Sequence, residues 1–392
     1  MAVSDLELNS LLLRAVELGA TDVHLKLGQL PALRRDGQLE LLEGASPLSE
    51  ADLESVLAAV TASAPSWRAE FEKSGELDAA YAPEGLPRFR VNGFRQRGST
   101  SFAFRTIPAA VPTLAELGLP PGVAMLADEQ RGLVLVTGAT GSGKTTTLAA
   151  MIDRINRSRR LHVVTIEDPI EFLHPDHGCI VNQREVGIDT HSFEQALRRA
   201  LRQDPDVILI GELRDAETAR TVLQAAESGH LVLTTMHTLD AAETLGRMVE
   251  LFPEAEQSQV RSVLSGVLRG VISQRLLPRL GGGRVVAAEV MVANARIAEL
   301  IRTAKPEGIP DAMAEGEFWQ MQTFSQALIQ LVIAGAVDQE TAASAATNRH
   351  DFELQLDRAL GREASGFADT LAERAHQQVE LPPLRIIGQE DG

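Results

Sequence analysis

The sequence predicts an α/β protein in which a small α+β domain precedes a larger domain built on a mostly parallel sheet. A phosphate-loop pattern at Gly138–Thr145 stands between an apolar strand-like run and a helical stretch. From about residue 107 to residue 350, strand-like runs alternate with helical stretches, which is typical of a parallel sheet with helices on both faces. Before them, Arg88–Arg97 and Ser101–Arg105 read as two adjacent strands, so we expect a separate α+β unit there.

Composition indicates a globular protein of a reducing compartment. The 392 residues suffice for two or three domains, and a content of 44% hydrophobic and 23% charged residues is ordinary for a packed fold. A net charge of −17 argues against nucleic acid as a partner, because phosphate repels an acidic surface. One cysteine excludes an internal disulfide, and the sequence shows neither a transmembrane segment nor a secretory signal. We therefore expect a cytoplasmic protein.

The first domain is expected to span residues 1–106. Thr21–Leu27 and Pro31–Gly37 read as strands, and residues 49–73 read as helical. Four prolines between Thr106 and Pro121 indicate a linker that begins where this domain ends.

The second domain is expected to span residues 107–350 and to be followed by residues 351–392, a helix and a poorly ordered tail. Its predicted strands are Leu133–Val136, His162–Ile166, Val207–Ile210, Leu231–Thr235 and Val285–Met291. Open sheets of this kind bind ligands at the carboxyl ends of their strands. The motifs that carry chemistry fall at those ends.

The phosphate loop predicts a nucleoside triphosphate site. Its glycines allow the backbone N–H groups to face a polyphosphate at the positive end of the following helix. Lys144 is expected to reach the outer phosphates, and the Thr145 hydroxyl to ligate Mg²⁺. The residues predicted to bind the nucleotide are Gly138, Ala139, Thr140, Gly141, Ser142, Gly143, Lys144, Thr145 and Thr146.

Two acidic strand ends supply candidate catalytic carboxylates. One apolar run leads into Glu167-Asp168-Pro169, and another leads into Gly211-Glu212. Phosphoryl transfer to water needs a carboxylate near the metal and another group that positions the nucleophile. We assign Glu212 to the Mg²⁺ shell and Glu167 to the attacking water, although the residue types fit the reverse assignment equally well.

Two histidines, His230 and His237, lie on either side of the strand-like run Leu231–Thr235. A histidine at a strand end is most often a hydrogen-bonding surface residue. Beside the other motifs, both are interpreted as sensors that donate a hydrogen bond to the γ-phosphate.

Together these segments resemble the ATPases of type II secretion and type IV pili, and specifically the pilus retraction ATPases of the PilT/PilU type. The Walker A, Asp box, Walker B and His box of that family match GATGSGKT, TIEDPIEF, ILIGELRD and ESGHLVLTTMHT. GATDVHL, RFRVNGF, NQREVG at Asn182–Gly187 and MQTFSQAL also match. Ala295–Arg302 resembles the AIRNLIRE motif of retraction motors, and one cysteine cannot build the zinc module usual in extension motors.

The resemblance implies an N-terminal PAS-like domain, a C-terminal RecA-like P-loop ATPase domain and a homohexameric ring. It implies hydrolysis of ATP with Mg²⁺, coupled to pilus retraction and twitching motility, with Arg90 and Arg105 as arginine fingers. The implied location is peripheral, at the inner face of the cytoplasmic membrane. The implied partners are the inner-membrane pilus platform protein and a paralogous pilus ATPase. The alternatives are an accessory ATPase, or an extension or type II secretion ATPase, and the motifs do not separate a PilT-like role from a PilU-like role.

Overall fold

The computed structural model describes residues 5–35, 37–62, 64–107 and 110–361. In this part of the chain, no helix is both long and apolar enough to cross a bilayer. The predicted tail beyond residue 361 lies outside the described residues.

The first domain consists of three helices and a six-stranded antiparallel sheet. Its elements are α1 (Asp5–Glu17), β1 (Asp22–Lys26), β2 (Ala32–Arg35), β3 (Gln38–Leu41), α2 (Glu50–Thr61), α3 (Pro65–Ser74), β4 (Glu76–Tyr81), β5 (Phe89–Gln96) and β6 (Ser99–Thr106). The strand order is β3-β2-β1-β6-β5-β4. The predicted pairing of β5 with β6 is confirmed, whereas β3 and β4 were not predicted.

Alternation of residue types along β5 separates its two faces. Phe89 and Val91 are fully buried, whereas Arg90 and Asn92 are exposed on the other face, as expected from the two-residue period of a strand. The Ser49 side chain caps α2 in a capping box with Asp52. The helices and the apolar face of the sheet enclose a core of their own.

The second domain is built on a seven-stranded sheet. Its elements are α4 (Pro121–Ala127), β7 (Gly132–Thr137), α5 (Lys144–Ser158), β8 (His162–Glu167), β9 (Ile180–Glu185), α6 (Phe193–Ala200), β10 (Val207–Ile210), α7 (Ala216–Glu227), β11 (Leu231–Met236), α8 (Ala241–Glu250), α9 (Glu254–Val267), β12 (Leu268–Pro278), β13 (Arg284–Val292), α10 (Ala295–Arg302), α11 (Ile309–Ala314), α12 (Phe324–Ile333) and α13 (Gln339–Ala345). Residues 349–361 add a further helix.

The sheet order β13-β12-β7-β11-β10-β8-β9 is parallel except at the β12–β13 hairpin. The predicted α/β class with a mostly parallel sheet is therefore confirmed. Every residue of β7, β10 and β11 is buried, which explains why these strands read as continuous apolar runs. A separate apolar cluster joins β12 and β13 to α12, α13 and the helix over residues 349–361, and includes Phe324, Phe352 and Leu356.

A hydrogen bond ties the start of the linker to the first domain. The Ile107 amide donates to the carbonyl oxygen of Arg88, 2.8 Å away, directly after β6 ends at Thr106. The predicted boundary at residue 106 stays a prediction, because the core clusters and sheets describe packing and do not measure independent folding.

A buried carboxyl group makes the stability of the second domain depend on pH. Glu289 of β13 accepts a hydrogen bond of 2.8 Å from the Ala241 amide at the start of α8. Burial, opposed in part by this hydrogen bond, raises the pKa of Glu289 from 4.5 to about 7. The folded protein therefore binds this proton more tightly than the unfolded chain does.

We predict that Glu289→Gln removes a pH-dependent loss of stability. In wild type, the stabilisation from protonated Glu289 is fully present below pH 4.5 and is lost as pH rises towards about 7. This loss lowers the free energy of unfolding by about 3 kcal/mol at most. Urea unfolding of wild type and variant at pH 5 and pH 8 measures it, with exposed Glu243→Gln as the control. An equal change in unfolding free energy between the two pH values in wild type and Glu289→Gln would contradict the assignment.

Candidate functional site

The phosphate loop joins the end of β7 to the start of α5. Gly138, Gly141 and Gly143 have φ angles of 140°, 80° and 93°, which side chains rarely adopt. At Gly138 a Cβ would also lie 2.5 Å from the carbonyl oxygen of Gln274, so β12 leaves no room for any side chain there. The loop is therefore held in the curled form that its sequence predicts, with the N-terminus of α5 directly behind it.

A cavity of about 650 Å³ lies over this loop and receives side chains from both domains. The predicted site residues that line it are Arg90, Arg105, Thr140, Gly141, Gly143, Lys144, Thr145, Thr146, Glu167, Glu212 and His237. Ala139 and Ser142 line a neighbouring cavity of about 290 Å³, together with Gln274, Arg275 and Leu276. Gly138 lines neither cavity and acts as the closely packed first residue of the loop.

Lys144, His237 and Glu212 form a hydrogen-bonded chain at the floor of the large cavity. The Lys144 ammonium donates to the carbonyl oxygens of Gly138 and Ala139 at 2.8 and 3.1 Å, and its Nζ lies 3.5 Å from Nδ1 of His237. His237 Nε2 lies 3.1 Å from Glu212 Oε1. Because lysine can only donate, this geometry favours the tautomer in which Nδ1 accepts and Nε2–H donates to the carboxylate.

These contacts set the charge states of the site. Burial lowers the pKa of Lys144, and the nearby Glu212 and Glu171 carboxylates counteract that effect. Burial acts to raise the pKa of Glu212, but the hydrogen bonds from Arg214 and His237 and the positive charge of Arg214 outweigh it, so the pKa lies below its usual value. Glu212 is thus held as a carboxylate, and its other oxygen accepts from Arg214 at 2.7 Å.

Glu167 lies in a different environment at the end of β8. Its Oε1 accepts from the Thr165 hydroxyl at 2.6 Å and from Gln183 Nε2 at 3.1 Å. Burial raises the pKa of Glu167, although these hydrogen bonds oppose the shift. The two predicted carboxylates therefore differ in proton affinity. Glu167 is buried from solvent, whereas Glu212 is paired with the Arg214 guanidinium.

Arg90 and Arg105 face each other across the β5–β6 ladder, where they form a directly opposed pair. Arg105 donates from Nε to Oδ1 of Asp22 at 2.8 Å. Among the described residues, Arg90 forms no hydrogen bond or ion pair. Arg90 is therefore the first-domain cation that is free to meet an anion in the cavity.

His230 does not line this cavity, and its predicted role as a γ-phosphate sensor stays a prediction. It precedes β11, and its carbonyl oxygen accepts from the Gly132 amide at the start of β7. Its Nδ1 lies 2.9 Å from the Ala225 carbonyl oxygen. The six residues of β11 separate the two strand ends by about 20 Å, so His237 alone of the pair reaches the cavity.

The structure also reveals lining residues and neighbours that the motifs did not single out. Arg284 lines the cavity directly after three glycines of the β12–β13 hairpin, each with positive φ. Gln183 and Glu185 belong to the NQREVG segment, which was noticed only as a resemblance. Nothing in the sequence assigned their contacts, because their partners lie in other parts of the chain.

Thr145 and Glu212 suit a hydrated metal better than an all-protein cage. Among the described residues there is no group of three or more His, Cys, Asp or Glu side chains arranged to hold a metal ion. Mg²⁺ keeps several waters and binds through one or two protein ligands plus phosphate oxygens. The hydroxyl of Thr145 and the carboxylate of Glu212, both lining the cavity, fit that requirement.

Comparison with known proteins agrees with the geometry. Residues 4–364 match the family described as "Type II/IV secretion system protein". The type IV pilus retractation ATPase PilT of Pseudomonas aeruginosa is 44% identical over 347 residues, which cover 88% of this chain and all of that protein. The type IV pilus ATPase PilU of the same organism is 40% identical over 353 residues, covering 90% of this chain and 91% of that protein.

Among solved structures, the crystal structure of the pilus retraction motor PilT with bound ADP superimposes with a TM-score of 0.81 at 45% identity. The match covers 88% of this chain and 98% of that chain. The predicted resemblance to the PilT/PilU-type ATPases is thereby confirmed.

We predict that Lys144→Ala abolishes ATP turnover and weakens ATP binding at least tenfold while the fold is retained. The ammonium is the cation nearest the loop, and hydrogen bonds to charged groups contribute about 1.5–3 kcal/mol each. Titration with a fluorescent ATP analogue, phosphate release and circular dichroism measure the three properties, with exposed Lys305→Ala as the control. Wild-type affinity in Lys144→Ala would contradict the placement of phosphate at this loop.

Proposed function

Because the chain belongs to the type II/IV secretion system protein family, we propose that it is an ATP-hydrolysing motor that powers type IV pilus retraction. The observation that carries this proposal is the single cavity that combines the phosphate loop, two strand-end carboxylates, His237 and first-domain arginines. A site assembled from two domains changes shape when they move, so nucleotide turnover and domain movement become one process.

ATP is proposed to bind with its phosphates over the loop. The N-terminal amides of α5 and the Lys144 ammonium meet the β- and γ-phosphates, and Lys144 exchanges its contacts with the loop carbonyls for phosphate oxygens. Thr145 and Glu212 would hold Mg²⁺, which neutralises charge developing on the phosphate oxygens.

Hydrolysis then requires an activated water and stabilisation of the transferred phosphoryl group. The water oxygen bonds to the γ-phosphorus while the bond to the β–γ bridging oxygen breaks, and the water proton passes to a carboxylate. Glu167 suits that acceptor because burial raises the pKa of its carboxyl group. His237 is proposed to sense the γ-phosphate, and its contacts with Lys144 and Glu212 support that role.

Arg90, and Arg105 once released from Asp22, are proposed to approach the γ-phosphate as the first domain closes. Both side chains line the cavity from the paired strands β5 and β6. Cations that arrive only with closure stabilise the transition state more than the bound substrate.

We propose that the protein works as a homohexamer at the inner face of the cytoplasmic membrane, against the inner-membrane pilus platform protein. A PilU-like role, as an accessory ATPase beside a paralogous motor, is the second candidate because similarity to a PilU-type protein also spans most of the chain. ATPase activity of the purified chain alone favours the motor. Activity that appears only with the paralogue favours the accessory role.

Glu212→Gln tests the proposed function. The substitution keeps the shape of the side chain but removes its charge, so we expect ATP to bind while turnover falls by about a hundredfold or more. In a deletion strain, wild type should restore pilus retraction, and Glu212→Gln should leave the cells non-twitching and hyperpiliated. Wild-type turnover in Glu212→Gln would contradict the Walker B assignment, and normal retraction in the deletion strain would contradict the function.

Arg90→Ala is predicted to reduce kcat far more than it weakens ATP binding, because its guanidinium acts on the transition state. Steady-state kinetics and nucleotide titration separate the two effects, and exposed Arg97→Ala serves as the control. Equal losses in turnover and binding would refute the role of Arg90 as an arginine finger.

A further inference from the structure

Strand β9 holds the segment that follows Glu167 at several points. The Val186 amide, just beyond β9, donates to the Glu167 carbonyl oxygen at 2.9 Å. Gln183 Nε2 donates to Glu167 Oε1 at 3.1 Å and to the Phe172 carbonyl oxygen at 2.8 Å. The Ile170 amide donates to Glu185 Oε2 at 3.0 Å. The position of the Glu167 carboxylate therefore depends on where β9 lies.

Glu185 also joins β9 to the first domain. The same Oε2 atom that accepts from Ile170 accepts from Nη2 of Arg88, and the two side chains are 5% and 15% exposed. Arg88 stands just before β5, and its carbonyl oxygen holds the first residue of the linker, Ile107. The ion pair thus lies at the point where the chain passes between domains.

Arg88 is close in the chain to Arg90. One residue, the buried Phe89 at the start of β5, separates them. A displacement of Arg88 relative to β9 therefore reaches the beginning of the strand that carries Arg90 into the cavity. Because Glu185 pairs with Glu167 in the β8–β9 ladder, Arg90 and Glu167 are connected through Phe89, Arg88 and Glu185.

A role in stability alone does not account for this ion pair. Burying two charges costs desolvation that their attraction often only offsets. Nε of Arg88 is also buried and has no hydrogen-bond partner among the described residues, so the guanidinium is incompletely satisfied. If the Arg88–Glu185 ion pair must rearrange as the domains move, both its desolvation cost and the unpaired Nε of Arg88 are explained.

We propose that Arg88 and Glu185 are positioning residues for ATP hydrolysis, which couple the place of the first domain to the Glu167 segment. The pair aligns Arg90 with the γ-phosphate and Glu167 with the attacking water in the same domain arrangement. This inference rests on the proposed ATPase function and adds to it two residues that touch neither substrate nor metal.

Steady-state kinetics of Arg88→Met and Glu185→Gln test the proposal. We expect kcat to fall about tenfold to a hundredfold, because catalytic groups lose their alignment, while the Kd for a fluorescent ATP analogue changes less than about threefold. Arg88→Lys, which keeps the charge, should recover part of the kcat, and exposed Arg97→Met should behave as wild type. In an Arg90→Ala background the effect of Arg88→Met should shrink, since Arg88 acts partly through Arg90.

Hydrogen exchange gives a second readout that does not need turnover. The amides of Asp168, Ile170, Glu171 and Phe172 should exchange faster in Arg88→Met and Glu185→Gln than in wild type. Unchanged kcat with unchanged exchange would overturn the proposal, as would equal losses of binding, kcat and melting temperature. A wild-type protein without ATPase activity would instead count against the proposed function, and faster exchange in the variants would still support the coupling.

Discussion

Parallel pairing forces β7, β11, β10 and β8 to end at one edge of the second sheet. The registers Ile210 to Ile166 and Ile210 to Thr234 bring the ends of β8 and β11 beside that of β10. Glu167 is the last residue of β8, and the phosphate loop, Glu212 and His237 begin within two residues of the ends of the other three strands. The positions of the site's groups therefore depend on the hydrogen-bond register of the strands. Because polar residues lie at the ends of these buried strands, the carboxylates, the lysine and the histidine come together at one edge of the sheet.

The two domains contribute different charged groups to the cavity. The second domain holds both carboxylates, and Lys144 is the cation of its loop. The first domain presents Arg90 and Arg105 from the opposite wall of the cavity. The two domains have separate apolar cores, and the cavity receives charged groups from both. In the proposed mechanism, closure of the first domain would bring its arginines towards the phosphate loop, so hydrolysis would be coupled to movement of that domain.

The sequence predicted those parts of the fold that are governed by local pattern. Strands buried on both faces read as apolar runs, and the phosphate loop follows from its glycines. Strand β12 escaped prediction because Leu268 follows the last residue of α9 directly, with no loop between the two elements. Strand β9 is polar and lies at the sheet edge, so it carries no apolar run. His230 and His237 lie at opposite ends of β11, so their proximity in sequence does not bring both to the cavity.

Tertiary contacts account for the remainder. Nothing near Glu185 in the sequence indicates that it meets Arg88, since 97 residues separate the two. The partners of Gln183 and the approach of Arg284 to the cavity depend likewise on how sheets and hairpins assemble. Motif position thus identified the groups at the carboxyl edge, whereas the residues that hold those groups in place became visible only in the folded chain.

We expect ATP to draw the first domain onto the phosphate loop. Spin labels on cysteines introduced at exposed Glu84 and Glu227, in a Cys179→Ser background and diluted with unlabelled protein, report the distance between domains by pulsed electron paramagnetic resonance. Magnesium with a slowly hydrolysed ATP analogue should shift and narrow the distance distribution, and Lys144→Ala should show no shift. An unchanged distribution at saturating nucleotide would contradict this domain movement.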